Sequence, residues 1–192
     1  MNSTNFCWVP FKSVPRQVID AFDSGNPVFN DFLKEKAEIW QMSGETVTYL
    51  IVTENEKTTG NYSRIHGYVS INAMALLYSS DVDKENKYLS CVEIRMFAIA
   101  KQLRKRHDST ITHSDILFKL ILQNLYEMST KTIGFRAIYL NANHDGYVLY
   151  KDNGFIPITT FVPPTEEEKL DITGTTPMLL PIDDTMIYSI FL

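Results

Sequence analysis

The sequence predicts a mixed α/β fold built from layers of helices and strands. The chain has 192 residues, of which 44% are hydrophobic and 21% are charged, enough for one globular domain with a real core. Three runs rich in β-branched and aromatic residues predict consecutive strands: Thr46 to Thr53, Ile65 to Leu77 and Tyr88 to Ala100. A long amphipathic helix, Asp115 to Met128, follows them. This order is typical of a mixed α/β layer fold, and we expect a single domain over residues 1–192.

Helices are expected at the start of the chain. The segment Ser13 to Phe22 predicts a short helix. The turn-forming residues from Asp23 to Pro27 end it, and Pro27 suits the first position of another helix. Apolar residues recur at helical spacing from Val28 to Trp40, so a second helix is expected there.

The three central strands are joined by polar segments. Glu54 to Ser63 predicts a turn region, Asp81 to Lys87 a charged loop, and Lys101 to Thr112 a basic loop. Thr112 or Ser114 can cap the long helix, because a side-chain oxygen there accepts a free backbone N–H.

Alternating elements are expected after the long helix. They are a strand from Phe135 to Leu140, a helix from Gly146 to Asp152, a strand starting at Phe155, and last strands at Met178 to Ile182 and Met186 to Phe191. An acidic run, Glu166 to Glu168, lies in the loop before the last two.

Composition narrows the function classes. The net charge of −5 argues against a dedicated nucleic-acid binder, which is usually basic. Two cysteines are too few for a disulfide framework, and the four histidines show no metal spacing, so no metal is expected. The chain has neither signal-peptide features at its start nor an apolar run long enough for a membrane span. We therefore expect a cytoplasmic protein that is not in a membrane.

The most informative segment runs from Ile138 to Phe155. An apolar strand leads to Asn143, a short helix carries Tyr150, and Gly154 then reverses the chain. A strand-end asparagine offers an amide to a polar ligand at the carboxyl edge of a sheet, and a tyrosine on the next helix can place its hydroxyl over the same spot. This order, Asn-x-x-small-x-x-Leu-Tyr-x-x-x-Gly-Phe, resembles the last block of the GNAT superfamily of N-acetyltransferases.

The resemblance implies a GNAT fold, in which a mixed, mostly antiparallel sheet has a central splayed strand pair and helices on both faces. It also implies that Tyr150 is the general acid, returning a proton to the leaving thiolate of coenzyme A. Asn143 would contact the pantetheine arm, cap the helix, or do both. From the residues alone, Tyr150 is equally consistent with a core position on an amphipathic helix.

The strand from Cys91 to Ala100 also resembles the corresponding strand of this superfamily. Alternation along a strand places Glu93, Arg95 and Phe97 on one face. The resemblance to the histone-acetylating branch implies that Glu93 is the general base, taking a proton from an attacking ammonium through water. It further implies that the pantetheine arm binds to backbone groups of Phe97, Ala98 and Ile99. The alternative for Glu93 is a structural carboxylate paired with Arg95 or another cation.

The loop before the long helix departs from the superfamily pattern. Its members have a glycine-rich loop whose amides reach the pyrophosphate, whereas the segment from Gln102 to Asp115 contains no glycine. Two interpretations stay open. In one, the pyrophosphate is bound by helix-start amides and by the side chains of Arg104, Lys105, Arg106 and Ser114. In the other, the site is degenerate and coenzyme A binds weakly or not at all.

The first third of the chain resembles the toxin-type branch. The resemblance lies in Phe22 to Leu33, in the strand Thr48 to Val52 and in Gly67 with Tyr68. It implies transfer of an acetyl group from acetyl-CoA, the cosubstrate, to a primary amine of a small molecule or a macromolecule. The alternatives are a toxin that acetylates aminoacyl-tRNA and a non-catalytic binding protein. An antitoxin partner and a homodimer both fit this branch, but the acidic charge argues against tRNA.

Overall fold

The computed structural model describes residues 5–79, 86–104, 112–158 and 174–182. The strands of this part are β1 Phe6–Pro10, β2 Val47–Thr53, β3 Gly67–Ser79, β4 Asn86–Ile99, β5 Ala137–Ala142, β6 Ile156–Pro157 and β7 Thr176–Pro181. They form a seven-stranded sheet in the order β1-β2-β3-β4-β5-β7-β6. β4 pairs with β5 in parallel, whereas β1 with β2, β2 with β3, β5 with β7 and β6 with β7 are antiparallel. The predicted mixed, mostly antiparallel sheet is confirmed.

The α-helices are α1 Arg16–Asp20, α2 Pro27–Asp31, α3 Ala37–Met42, α4 Glu54–Thr59, α5 His113–Lys131 and α6 Tyr147–Asp152. A π-helical turn, Phe32–Lys36, joins α2 to α3, so the helix expected from Val28 to Trp40 is confirmed. The long helix and the helix carrying Tyr150 are confirmed as well.

The chain divides into two compact units. Unit 1 comprises Met1–Asn72 and Arg95–Leu122, and unit 2 comprises Ala73–Ile94 and Gln123–Leu192. The strands β3 and β4 and the helix α5 each contribute residues to both units.

The core of unit 1 lies between the first helices and one face of the sheet. Leu50 of β2 and Tyr68 of β3 belong to the same buried cluster as Phe32 and Leu33. The Tyr68 hydroxyl donates a hydrogen bond to the Phe29 carbonyl at 2.8 Å, which satisfies the polar end of a fully buried ring. The cluster joins the helices before β2 to this face.

The other face of the sheet in unit 1 is packed against α5. Ile51 and Val69 alternate with the residues of the first cluster and are fully buried. The ring of Phe97 on β4 lies 5.3 Å from the ring of Phe118 on α5. Helices therefore cover both faces, as expected.

Unit 2 has buried residues of its own. Cys91, Ala137, Ile158 and Leu179 form one buried cluster among its described residues. The parallel pairing of β4 with β5 runs from Cys91 opposite Ala137 to Ile94 opposite Leu140. β4 continues beyond this register to Ile99, as expected for the first strand of a splayed pair.

Two elements correct the sequence-based predictions. β1 was not predicted, and it pairs with β2 from Phe6–Thr53 to Pro10–Tyr49. The segment Glu54 to Ser63 was predicted to be a turn region, but its first part is the helix α4. The Thr53 side chain accepts the Glu56 N–H while the Glu56 carboxylate accepts the Thr53 N–H, a reciprocal capping box that stabilises a polar helix.

The outer strands of the described sheet are short. β1 has five residues and ends at Pro10, and β6 consists of Ile156 and Pro157. Several predictions fall outside the described residues: most of the charged loop Asp81 to Lys87, the acidic run Glu166 to Glu168, the strand at Met186 to Phe191, and the cations Lys105 and Arg106.

Candidate functional site

Asn143 lies in the turn that precedes the helix carrying Tyr150. Its side-chain oxygen Oδ1 accepts the Gly146 N–H at 2.8 Å, and its backbone carbonyl accepts the Tyr147 N–H at 3.0 Å. These bonds take up donors that a helix N-terminus leaves without intrahelical partners. The N-cap residue of α6 is Gly146, without a side-chain capping hydrogen bond. Asn143 therefore braces the turn before the helix instead of capping it as one alternative predicted, and its contact with pantetheine stays a prediction.

The Tyr150 ring lies on the turn formed by Asn143 and Gly146. A Cβ atom added at Gly146 would be 2.7 Å from Tyr150 Cε2 and 3.1 Å from Asn143 Oδ1. The ring also lies 6.1 Å from that of Phe155, which is buried. Burial raises the pKa of Tyr150 to about 12, so the hydroxyl stays protonated at neutral pH and can donate a hydrogen bond.

We expect Gly146→Ala to destabilise the protein by about 1–2 kcal/mol, because the added methyl group overpacks the Tyr150 ring. Backbone strain does not contribute, since φ of Gly146 is −89°. The matched control is Gly134→Ala, where an added Cβ meets nothing within 4 Å. Urea unfolding of the two variants measures the difference, and equal midpoints would show that the ring moves aside without cost.

Gly154 and Phe155 end the Tyr150 helix. Gly154 adopts φ of +86°, a conformation that side chains disfavour, and its N–H donates to the Lys151 carbonyl at 3.1 Å. The Phe155 N–H donates to the Tyr150 carbonyl at 3.1 Å. The motif read from the sequence is thus one compact local structure.

Glu93 lies on β4 in unit 2, the unit that also contains Tyr150. It is partly buried and stands opposite Tyr139 in the parallel register with β5. Arg95, its predicted structural partner, lies over the ring of Trp40, with its guanidinium carbon 4.7 Å from the ring centroid. Arg95 and Phe97 therefore contact different helices, α3 and α5, although strand alternation predicts one face for both.

The three β4 residues predicted to bind pantetheine differ in the direction in which their backbone N–H and C=O groups point. An added Cβ at Gly67 would lie 2.8 Å from the Ala98 carbonyl oxygen, so this carbonyl is directed toward β3. The Ala100 N–H donates to the His66 carbonyl at 2.8 Å on the same side. Because backbone groups alternate along a strand, those of Phe97 and Ile99 point to the opposite edge. We expect Phe97 and Ile99, rather than Ala98, to offer free backbone groups.

The segment after β4 forms a single 3-10 turn, Lys101–Leu103. The Leu103 N–H donates to the Ala100 carbonyl at 2.9 Å, and the Arg104 N–H donates to the Lys101 carbonyl at 3.1 Å. These amides are engaged within the turn, unlike those of a glycine-rich phosphate loop. The group of this segment that is available to bind an anion is therefore the exposed side chain of Arg104.

The N-terminus of α5 is capped by Thr112. The Asp115 N–H donates to Thr112 Oγ1 at 3.2 Å, and the Thr112 N–H donates to Asp115 Oδ2 at 3.0 Å. Ser114 is partly buried and is not the capping residue. A carboxylate therefore occupies the end of the helix where the dipole favours negative charge, and a phosphate would compete with it.

Sequence reasoning missed a buried polar pair in unit 1. Four hydrogen bonds from Thr53 and Ser63 reach the Glu56 carboxylate, and His66 Nε2 lies 3.9 Å from it. Within the described residues, neither ring nitrogen of His66 has a hydrogen-bond partner. Burial, followed by the charge of Arg64, lowers the pKa of His66, so its ring is neutral. The capping-box spacing of Thr53 and Glu56 was the one signal for this pair in the sequence.

Among residues 5–79, 86–104, 112–158 and 174–182, no three His, Cys, Asp or Glu side chains are grouped to hold a metal ion. None of the helices in these ranges is both long and apolar enough to cross a bilayer.

Several solved structures have a similar fold. A bacterial toxin superposes with a TM-score of 0.70 at 17% identity, covering 97% of this chain and 95% of that chain. AtaT complexed with acetyl-methionyl-tRNAfMet gives 0.66 at 15% identity, covering 96% and 99%. A tyrosine-to-phenylalanine mutant of the AtaT toxin, bound to the C-terminus of the antitoxin AtaR and acetyl-CoA, gives 0.62 at 14% identity, covering 96% of each chain.

No protein-family model matches the sequence, and no curated protein does either. At these identities the structural likeness shows the fold alone. The fold expected from the motifs is therefore confirmed as the fold of these solved toxin structures.

Proposed function

We propose that the chain is an N-acetyltransferase that moves an acetyl group from acetyl-CoA directly to a primary amine. The observation that carries the proposal is the local structure around Tyr150. Its ring packs on the turn formed by Asn143 and Gly146, and its hydroxyl is protonated. A similar fold binds acetyl-CoA in the AtaT mutant complex, which supports the cosubstrate.

Each proposed residue has one task in this reaction. Acetyl-CoA supplies an activated acyl group as a thioester. Glu93 accepts a proton from the ammonium form of the acceptor through water, which frees the nitrogen lone pair to attack the carbonyl carbon. As the C–N bond forms, the C–S bond breaks, and the Tyr150 hydroxyl donates to the negative charge that develops on sulfur. Backbone groups of Phe97 and Ile99 orient the pantetheine arm.

The phosphates of the cosubstrate would be held differently from those in a glycine-rich loop. Arg104 is exposed next to a turn whose amides are engaged, so charge rather than backbone donors provides the binding. We propose the same part for Lys105 and Arg106, with Ser114 as a further donor.

Calorimetric titration of the protein with acetyl-CoA tests the proposal. Binding that exceeds the binding of acetate and of free adenosine supports it. An absence of heat at millimolar acetyl-CoA would leave the non-catalytic binding protein as the remaining interpretation.

Glu93→Gln is expected to lower kcat by about 10²-fold, at the lower end of general-base effects, because the amide cannot accept the proton. Any rise of kcat with pH that depends on deprotonation of Glu93 should be absent from the variant. Glu35→Gln, an exposed residue on the π-helical turn, is the charge-matched control. A Glu93→Gln enzyme with unchanged kcat and pH profile would assign Glu93 a structural role.

A toxin acting on aminoacyl-tRNA is the second candidate. It is favoured by the likeness to AtaT in complex with acetyl-methionyl-tRNAfMet. The net charge of −5 opposes it. Expression that arrests growth, with relief by Tyr150→Phe, would support this acceptor and an antitoxin partner. Transfer to small amines without growth arrest would support the general acetyltransferase.

A further inference from the structure

The turn 23–30, which consists of the loop after α1 and the first four residues of α2, is held together by its own side chains. The amide and hydroxyl of Ser24, which is fully buried, both reach Asn30 Oδ1 at 2.8 Å. Asn30 Nδ2 and the Gly25 N–H donate to Asp23 Oδ1 at 3.0 and 2.7 Å. These bonds make the turn a rigid element of unit 1.

The turn contacts the segment that follows β4 in two places. The Lys101 N–H donates to the Asp23 carbonyl at 2.9 Å. The aliphatic part of the Lys101 side chain crosses Gly25, where an added Cβ would lie 3.4 Å from Lys101 Cγ and Cδ. Gly25 adopts φ of +79°, which glycine takes without strain, and the lysine side chain lies at van der Waals distance from it.

The contacted segment leads directly to the residues proposed to bind phosphate. Lys101 begins the 3-10 turn, and Arg104 follows it. On the other side, the His66 carbonyl accepts the Ala100 N–H at 2.8 Å. Two successive backbone amides are therefore held by separate parts of unit 1. This fixes where the chain leaves β4 and where Arg104 stands.

We infer that Gly25 and Asn30 are positioning residues for acetyl-CoA: the turn 23–30 sets the place of Lys101 and Arg104, and through them the affinity for the cosubstrate's phosphates. The inference rests on the proposed function. The turn touches the post-β4 segment in unit 1, and Tyr150 and Glu93 belong to unit 2. Disturbing the turn should therefore weaken acetyl-CoA binding and leave the chemical step unchanged.

The test compares Gly25→Asn with Gly44→Asn. Both glycines have positive φ, +79° and +77°, and asparagine tolerates that region best among the other residues. At Gly44 an added Cβ meets nothing within 4 Å, whereas at Gly25 the new side chain meets Lys101. We expect the Kd and KM of Gly25→Asn for acetyl-CoA to rise about 10-fold, which corresponds to about 1.4 kcal/mol, with kcat within about twofold. Gly44→Asn should match the unaltered chain.

A double-mutant cycle shows whether the effect passes through Lys101. Lys101→Ala shortens the side chain that crosses Gly25. In this background, Gly25→Asn should change the Kd for acetyl-CoA by less than about twofold, since the contact it disturbs has been removed.

A second pair of variants covers the case in which Gly25→Asn does not fold. Asn30→Ala removes the acceptor of Ser24 and should raise the Kd in the same way. Gln41→Ala removes another side-chain brace in unit 1, the bond from the Thr48 N–H at 3.2 Å, and should not.

The outcomes separate this inference from the proposed function. If the unaltered chain binds acetyl-CoA, and Gly25→Asn and Asn30→Ala bind it as well as their controls Gly44→Asn and Gln41→Ala, the positioning role is refuted and the acetyltransferase stands. A fall in kcat without a change in Kd would refute it too. Absence of binding by the unaltered chain overturns both.

Discussion

Replacing Tyr150 with phenylalanine is expected to lower kcat for acetyl transfer by about 10³-fold, with the Kd for acetyl-CoA unchanged within about twofold. The phenyl ring keeps the contacts with Asn143, Gly146 and Phe155. The change therefore removes only the hydroxyl, and with it the donor to the leaving sulfur.

The physical role of this hydroxyl follows from its pKa. Burial raises the pKa of Tyr150 to about 12. A free thiolate has a pKa near 8.5, so complete proton transfer from Tyr150 would be uphill by roughly 5 kcal/mol. We therefore expect the hydroxyl to act as a hydrogen-bond donor to the developing charge, with the proton reaching sulfur as the product leaves. Activity should show no loss from Tyr150 ionisation below about pH 10.

Steady-state kinetics and calorimetry measure the effect. Tyr147→Phe, a partly buried tyrosine three residues earlier on the same helix, is the matched control and should keep its kcat. If kcat of Tyr150→Phe stays within threefold of the unaltered enzyme, the donor role is wrong. A variant that also loses acetyl-CoA affinity would instead place the hydroxyl in ground-state binding.

The largest expected effect on stability is that of Glu56→Gln, a loss of about 3 kcal/mol at pH 7. Burial alone would raise the pKa of Glu56, but hydrogen bonds from Ser63 and Thr53 outweigh it and lower the pKa to about 2. Glutamine has half of its acceptor capacity and would direct an NH₂ group at those same donors. The capping box of α4 would be lost with it.

The sign of the pH dependence is fixed by this shift. The folded-state pKa lies below the unfolded value of 4.5, so the stabilisation is complete above about pH 4.5 and is lost as the pH falls toward 2. The stability difference between the unaltered chain and Glu56→Gln should shrink over that window. Urea unfolding at pH 7 and at pH 3.5 measures it. Glu54→Gln, exposed on the same helix, is the control, and an equal loss in both variants would contradict the assignment.

Long, regular apolar patterns made much of the fold predictable. β2, β3, β4 and α5 each bury a continuous apolar face, which leaves a period in the sequence. β1 was missed because five residues ending in proline show too little alternation. α4 was missed because Glu54–Thr59 is polar, and its stability depends on the Thr53–Glu56 cap rather than on a buried face.

The site was predictable where it is local along the chain. Asn143, Tyr150 and Gly154 lie within one short segment, so their order alone indicates a turn, a helix and a stop. The contact of Asp23 with Lys101 depends on how distant segments of the chain fold. No periodicity or motif within either segment records such contacts. The hydrogen bonds of the amides after β4 could not be predicted either. A loop sequence without glycine is compatible both with a turn whose amides are hydrogen-bonded and with one whose amides are free.

The short outer strands restrict how another chain can associate with this one. A partner that extends a sheet needs a row of free N–H and C=O groups along an exposed edge. β1 offers five residues that end at Pro10, and β6 offers two that end at Pro157. Proline has no N–H to donate, and so brief an edge forms few intermolecular bonds. Aggregation by edge-to-edge pairing is therefore disfavoured at both strands. At these two strands of the described sheet, a second copy of the chain or a regulatory peptide would have to recognise side chains instead of backbone groups.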